Sequence, residues 1–589
     1  MALFTPSASP AVTVKEIDLT GVVPNVQTST GAFVGNFGWG PVGVATLVSD
    51  ESGLVSTFSA PTDENTVDFH SAAYFLKYSN SLYVVREQDS DGVNAVANHS
   101  SLGSLTAQAI NNLDAFENLS IDSSDGAFIA KYPGTIGNSL KVSVVGTDSA
   151  SGSSLNFNNW AYKSEFDAAP GTSKFVSDLG GSNDEIHVVV VDEDGEISGT
   201  AGTVLEAFPF LSVAKNAKAS DGTSNYYKDV LKNRSNWIYS GGFHTGDSDS
   251  LSDFVGSNWG NNATTSGEDF KTGQNFSKTQ STWSFASGVT SSSLGTDDVL
   301  RGFDKFEDKD NIEVDFLIAP ESIADATATT VVNDLVGIAG TTRKDCVAVA
   351  SPSRNAVITV GTNAGVLACN NTYTKSSYLI QDNNYLKVFD KYNDKYIKIP
   401  ANSSTAGLMA ATDLVAAPWF SPAGSRRGRY VGITDIILSP TKAERDTLYK
   451  AGINPIANIP GEGIMLFGDK TNESRPSAFD RINVRRLFLG IERAIAIAGR
   501  NVMFEFNDEF TRAEFVNIVE PFLREIQGRR GITDFRVVCD ATNNTAAVVD
   551  RNEFIASIFI KPARSINFVT LNFVAVRTGV EFEEVVGTV

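Results

Sequence analysis

Gly38-Trp39-Gly40-Pro41-Val42-Gly43 has the GxGxxG spacing that lets a backbone approach a pyrophosphate. That chemistry needs the glycines to open a helix whose free N–H groups meet the phosphates. Pro41 removes one such donor, and the following Val44–Val48 reads as extended, so the segment is expected to be a glycine-rich turn. Asp247, Asp249 and Asp253 are spaced like calcium-loop carboxylates. The glycine and distal glutamate of an EF-hand are absent, and the stretch reads as a solvated loop. Four histidines (His70, His99, His187, His244) and three cysteines (Cys346, Cys369, Cys539) are scattered along the chain. They form no CxxC pair, no close Cys/His pair and no disulfide framework, which fits a reducing compartment. HExxH, GxSxG and Walker sequences are absent. A carboxylate dyad cannot be read from spacing. The residues therefore predict no catalytic set, no metal site and no cofactor.

Charge is the next guide. The chain of 589 residues carries a net −22, a poor match to nucleic acid. From Ser425 onward 22 Lys and Arg face 21 Asp and Glu, while the remainder holds 25 against 48. Eighteen of the 22 late basic residues are Arg, which suits rigid and partly buried ion pairs better than Lys does. The acidic part is expected to face solvent and the last 165 residues to make contacts. No apolar run reaches the roughly 18–20 residues of a membrane helix. The start, MALFTPSASP, has neither the basic nor the apolar region of a secretory signal.

The elements that must carry these residues change in texture along the chain. Val12 and Val14 alternate with polar residues, the phase slips at Lys15-Glu16, and Ile17 and Leu19 resume it: a strand with a bulge. Short strands are predicted at 31–35, 45–48 and 81–86, with a helix at 67–78. Residues 87–300 are rich in Ser, Thr, Asn, Asp and Gly. They predict one or two β-rich insertions, with clear strands at 140–145 and 186–191, a tight Asp-Gly hairpin turn at 192–195, and a long surface excursion at 255–298. From about Asp315 strands at 314–319 and 346–350 alternate with a helix at 330–340, as in a helix-covered sheet. Residues 371–424 read as loops with aromatic anchors.

The final block is the most regular. Ser439-Pro440 is expected to start a helix that ends before Gly452. A second helix, 480–498, is closed by Gly499. It places Val484, Leu487, Phe488, Ile491, Ala494, Ile495 and Ala498 on one arc, its core face. The other side sets Ile482, Leu489 and Ile497 among Arg485, Arg486 and Arg493. Aliphatics among arginines suit a face buried against another domain or subunit, or a salt-bridge network inside the domain. Arg481, nearer the helix start, is placed to tie the preceding loop. A third helix, 512–527, contains Pro521 and an apolar stripe of Phe515, Ile518, Val519, Phe522, Leu523 and Ile526. Strands are expected at 535–539, 553–561 and 566–576. Both termini thus carry an alternating segment with little neighbouring sequence to pair with, and an unpaired strand invites a partner edge.

Several segments carry a resemblance: SAFDRINVRRLF at 477–488, RVVCDATNNT at 536–545 and VDRNEFIASIFIKPARSINFVTLNFVAVRTG at 549–579. GAFVGNFGWGP (31–41), YPGTIGNSLKVSV (132–144) and FGDK (467–470) agree in order. With these the chain resembles the tail sheath proteins of contractile bacteriophage tails, T-even-like group. The match spans essentially the whole chain, very specific after residue 425 and loose between about 87 and 300, where an outer insertion looks shorter than in the largest relatives. The resemblance implies a multidomain α+β protein. Its parts would be an N-terminal arm (1–22), the first part of a middle domain (23–95), β-rich outer insertions (96–300), the α/β remainder of the middle domain (301–424), a tube-proximal C-terminal sheath domain with an α/β fold (425–562), and a C-terminal strand and arm (563–589).

It further implies a non-enzymatic subunit of six-fold rings stacked into a helical sheath around a tail tube, contracting to drive that tube through the host envelope. The partners would be other copies of the chain, the tube protein, and baseplate and tail terminator proteins, with no nucleic acid and no membrane insertion. The place would be the virion tail, assembled in the host cytoplasm. Val12, Val14, Ile17 and Leu19 at one end, and Phe568, Leu571, Phe573 and Val576 at the other, would be inter-subunit arms. Ile482, Arg485, Arg486, Leu489, Arg493 and Ile497 would form the tube or subunit interface. Two other classes fit the composition: a β-rich surface-layer or adhesin-like protein, and a carboxylate-dependent hydrolase.

Overall fold

The computed structural model describes residues 28–97, 109–119, 127–146, 155–178, 181–214, 217–241, 280–291 and 293–567. Both predicted arms, Val12–Leu19 and Phe568–Val576, and the acidic triplet 247–253 lie outside the described residues. The chain forms two compact units. The larger spans Gln27–Ala417 and Pro422–Ile482; the smaller, among described residues, holds Pro418–Ser421 and 483–567.

The larger unit opens with β1 (Gly31–Gly35), β2 (Thr46–Val48), α1 (Thr66–Leu76) and β3 (Leu82–Arg86). An insertion follows, made of β4 (Asn94–Ala97), β5 (Phe128–Pro133), β6 (Leu140–Gly146), β7 (Glu185–Asp192), β8 (Thr203–Ser212), β9 (Ile238–Ser240) and β10 (Ser281–Ala286). The chain then returns with α2 (Thr296–Asp304), β11 (Phe316–Ile318), α3 (Asp325–Gly337), β12 (Val347–Ala350) and β13 (Leu379–Gln381). Next come β14 (Tyr385–Asp390), β15 (Lys395–Pro400), α4 (Asn402–Val415), β16 (Asp435–Ile436), α5 (Lys442–Lys450), β17 (Ile456–Ile459) and β18 (Gly463–Leu466).

The first sheet runs β13-β12-β11-β1-β3-β2, parallel except at β2. Parallel sheets are buried on both faces, and this one is too. Ala32, Leu317 and Ala348 lie in one register row and pack against Val299 and Phe303 of α2 and Val331 and Leu335 of α3. On the opposite face Phe316 meets Phe75 of α1 edge-on, at 6.4 Å between ring centres. Beyond α1 and α4 lies a further small sheet, β15-β14-β16. Its Leu386, Val388, Ile397 and Ile399 pack with Tyr74 and Leu408. The unit is therefore a four-layer stack: α2/α3, parallel sheet, α1/α4, small sheet.

The insertion is one antiparallel sheet, ordered β8-β7-β6-β10-β4-β5-β9. Val142, Val188, Phe208, Trp283 and Phe285 make its core, joined by Trp39 from the glycine-rich turn.

Four expectations change here. The stretch 255–298 is not only a surface excursion, because β10 is an inner strand of the inserted sheet, with Trp283 and Phe285 buried. The Ser and Thr between those aromatics hide a period-2 pattern. Residues 371–424 are not loops but hold β13, β14, β15 and α4. Every residue of α4 from Asn402 to Ala410 is buried, so an apolar stripe was never needed. Asp192 does not make a tight turn. Its carboxylate gathers the amides of Gly195, Ile197 and Ser198 at 3.0, 3.1 and 2.7 Å and organises the longer loop 193–202. Finally, the α5 cap is Thr441, two residues later than the expected Ser439. Thr441 and Glu444 exchange backbone bonds in a capping box, and Gly452 follows the helix end at φ +83°.

In the smaller unit α6 (Ile482–Arg500, its first residue in the larger unit) and α7 (Glu509–Gly528) accompany a hairpin-like pair, β19 (Ile532–Val538) and β20 (Ser557–Pro562). α6 runs one residue past Gly499, and α7 continues through Pro521.

Candidate assembly surfaces

The core of the smaller unit is Leu487 and Ile491 of α6, Phe515, Val519, Leu523 and Ile526 of α7, and Ile532 of β19. Ile495, Phe522, Phe535, Ile558 and Ile560 pack against it. The opposite side of α6 is uneven in exposure. Ile482, Arg485, Arg486 and Leu489 are buried within the chain, whereas Arg493 and Ile497 are half-buried. Partial desolvation raises the Glu492 carboxyl, and the nearby Arg485 charge opposes it. Arg481 does tie the preceding loop: its Nη1 donates to Asp469 Oδ1 at 2.9 Å and to the Tyr449 hydroxyl.

The largest apolar exposure lies where sequence reading had placed only a connection. In the loop between α6 and α7, Met503, Phe504 and Phe506 expose 56, 102 and 83% of their surface, and Phe510 in the first turn of α7 exposes 77%. Those values leave the three phenylalanine rings outside the core. The loop is nevertheless held. Asn507 Nδ2 donates to the Glu553 carbonyl at 2.7 Å, Arg512 Nε donates to Asn507 Oδ1 at 2.7 Å, and Asp508 caps α7 through the Thr511 amide at 2.9 Å. Phe504 itself sits at φ +72°, a backbone region costly for a bulky residue. The signal was present as Met503-Phe504-Glu505-Phe506, apolar residues in a stretch flanked by Asn and Asp.

The second surface is an edge. β19 and β20 pair antiparallel, with Phe535 opposite Ile560, and no third strand joins either outer edge among the described residues. One face packs on the helices; the other presents Arg536 beside Phe559, which is 61% exposed, and the ion pair Lys561–Asp534 at 2.9 Å. Two strands alone are marginal in water, and two open edges are templates for pairing.

The glycine-rich turn first scanned for chemistry holds the fold instead. Gly38–Gly43 opens no helix. Gly40 lies at φ +99°, where an added Cβ would stand 2.8 Å from the Thr57 carbonyl oxygen. Beneath this turn Arg86 is fully buried and donates to the carbonyls of Gly40 at 2.8 Å and Pro133 at 2.6 Å, joining β3, the turn and β5. Burial pushes its pKa down to about 9. Burial also pushes the Asp382 carboxyl up to about 7, against hydrogen bonds from the Asn384 amide, Ser351 and Thr405. Fully enclosed, Asp382 offers no substrate access. His70 Nε2 stands 3.1 Å from Asp390 Oδ1. Burial opposes the Asp390 charge, but Asn393, Thr66 and His70 outweigh it and hold the carboxyl at about 2. The three cysteines are buried and in no disulfide. Among the described residues no cluster of three or more His, Cys, Asp or Glu could hold a metal, and no helix is long and apolar enough to cross a membrane.

Comparison with known proteins agrees with this picture of a structural subunit. Residues 293–472 match the phage tail sheath protein central domain, and residues 474–575 match the phage tail sheath C-terminal domain. The tail sheath protein of Enterobacteria phage T4 is 32% identical, with 98% of this chain and 99% of that protein covered. The tail sheath protein of Vibrio phage KVP40 is 31% identical over 98% and 99%. The crystal structure of a sheath tail protein from Listeria innocua shares the fold at a TM-score of 0.52 and 12% identity, covering 91% of this chain and 96% of that one. Near-full-length identity at this level, together with two consecutive domain matches, places the chain in the phage tail sheath protein family.

Proposed function

We propose that this chain polymerises as stacked six-fold rings around a tail tube, assembles in an extended state in the host cytoplasm, and contracts in the virion tail to drive the tube through the host envelope. The observation that carries the reading is the two-stranded sheet β19–β20, whose outer edges are unpaired among the described residues. Strand segments from neighbouring copies, Val12–Leu19 and Phe568–Val576, would complete it by backbone pairing. The exposed Phe504, Phe506 and Phe510 are the surface we assign to the tube, with Arg493 and Ile497 of α6 beside them in sequence as secondary candidates. Baseplate and terminator proteins would close the two ends of the polymer.

Deleting residues 1–20 or 565–589 tests the strand exchange. The expected outcome is a subunit that melts cooperatively but does not form tubes in negative-stain micrographs. Normal tubes from both truncated chains would refute it. Charge reversal separates the arginines: Arg486→Glu is expected to cost folding stability because the side chain is buried, whereas Arg493→Glu is expected to leave melting nearly unchanged and to weaken assembly on tubes.

A further inference from the structure

The outer layer of the larger unit offers a surface that its own fold does not use. On β14 and β15 the residues alternating with the buried row face outward. Lys387 stands opposite Lys398, and Phe389 stands opposite Tyr396, in one antiparallel register. Phe389 is 44% and Tyr396 58% exposed, and their rings meet edge-on at 5.3 Å. Lys387 Nζ sits 5.0 Å from the Tyr396 ring centre. Like charges directly opposite each other destabilise a strand pair. Neither Lys387 nor Lys398 makes an ion pair among the described residues, although Asp435 lies across from Lys387 in register. The turn lysines differ: Lys391 pairs with Glu51 at 3.2 Å, and Lys395 pairs with Asp63. A cationic, aromatic sheet face is thus left open on a chain of net charge −22.

The opposite outer layer of the same four-layer stack is acidic. Of the seven charged residues between 304 and 313, at the end of α2 and in the turn after it, five are Asp or Glu, and all seven are exposed. Asp304 and Glu307 stand near Asp334 of α3; burial first, then these two charges, push the Asp334 carboxyl up. Opposite charges on opposite layers cannot meet within one copy. They are complementary between copies related head to tail, the heterologous arrangement that closes into rings or runs on as a helix.

We infer that the outward face of β14 and β15, with Lys387, Phe389, Tyr396 and Lys398, docks on the acidic end of α2, with Asp304 and Glu307, of a second copy of this chain. The inference rests on the reading of the chain as a self-assembling sheath subunit and assigns that assembly a specific pair of faces. The lysines would gain the counter-charges that the fold withholds, and the two rings would lose their exposed area to the partner.

The test uses the full chain in three forms: native, Lys387→Glu/Lys398→Glu, and Asp304→Lys/Glu307→Lys. Sedimentation and negative-stain microscopy read assembly, and melting reports folding. Each variant alone is expected to raise the critical concentration by about tenfold or more, equivalent to ~1.4 kcal/mol per contact. A 1:1 mixture is expected to restore polymer, because each reversed face meets the other's reversed face and the native faces still match. If a reversal lowers melting, the neutral pair Lys387→Gln/Lys398→Gln replaces it, with the same direction of change expected. Native-like assembly of either variant, or two defective variants that mixing does not rescue, overturns this pairing alone. A native chain that stays monomeric under all conditions overturns the sheath reading as well.

Discussion

The two units solve opposite problems. In the larger one, a parallel sheet is covered on both faces and buried polar groups are tied to specific partners: Arg86 to two carbonyls, Asp382 to three donors, Asp390 to a histidine, a threonine and an asparagine. In the smaller one, a two-stranded sheet rests on two helices, and three phenylalanines in the loop joining those helices and the first turn of α7 are at least 77% exposed. Buried networks of the first kind fix one conformation, since any unmatched group in a low-dielectric interior is costly. Open edges and exposed rings of the second kind store binding capacity that only another chain can use. Damage to the first unit should therefore appear as lost folding, and damage to the second as lost assembly.

Four changes probe that contrast, from the largest effect on folding to the smallest. Arg86→Met is expected to destabilise by roughly 2–6 kcal/mol, since two buried carbonyls lose their donor at ~1–3 kcal/mol each. Chemical denaturation of the larger unit's transition measures it, and an unchanged midpoint would mean that the arginine is not a staple.

Asp382→Asn should change the pH dependence. The native carboxyl is raised to about 7 from an ordinary value of 3.8. Its contribution to stability is complete below pH 3.8, declines as the unfolded chain loses a proton that the folded chain retains, and is gone once pH passes about 7. Melting of the native chain should therefore fall more than that of the Asn variant between pH 5 and 8, by an amount on the order of a few kcal/mol. Parallel pH profiles would remove the assignment.

Thr441→Ala breaks the capping box of α5 and is expected to cost about 1 kcal/mol, read as a small shift in the denaturation midpoint. Last, Phe504→Ser/Phe506→Ser/Phe510→Ser should shift folding by less than about 0.5 kcal/mol, because these rings contribute nothing to the core, while abolishing attachment to tubes in a co-sedimentation assay. A strong loss of melting in that triple variant would show that the rings belong to the fold, and the contrast between the units would fail.

Some of this is legible in the sequence. The 3.6-residue period of the predicted helices 480–498 and 512–527 marked Leu487, Ile491, Phe515, Val519 and Leu523 as core, and those positions are buried. Continuous apolar runs marked β6, β7, β11 and β12. Those patterns are local: periodicity states which side of an element must leave water, whatever it packs on. Other features had no local signature. β10 carries its buried Trp283 and Phe285 between Ser and Thr, and it is an inner strand because β6 and β4 come to lie on either side of it. The helix α4 is built of small and hydroxylated residues and is enclosed because the sheets above and below it close over Asn402–Ala410.

The sequence by itself determined the chain's family, its acidic body with a charge-balanced final block, and the amphipathic faces of its long helices, because composition and spacing are properties of the chain alone. Only the tertiary structure decided which charged and aromatic groups are satisfied. Arg86 and Phe504 illustrate the division, a guanidinium enclosed without a carboxylate and a phenyl ring left in solvent. Residue type predicts the reverse for both. The free energy of each depends on neighbours brought together from distant parts of the chain, and no window of sequence contains them.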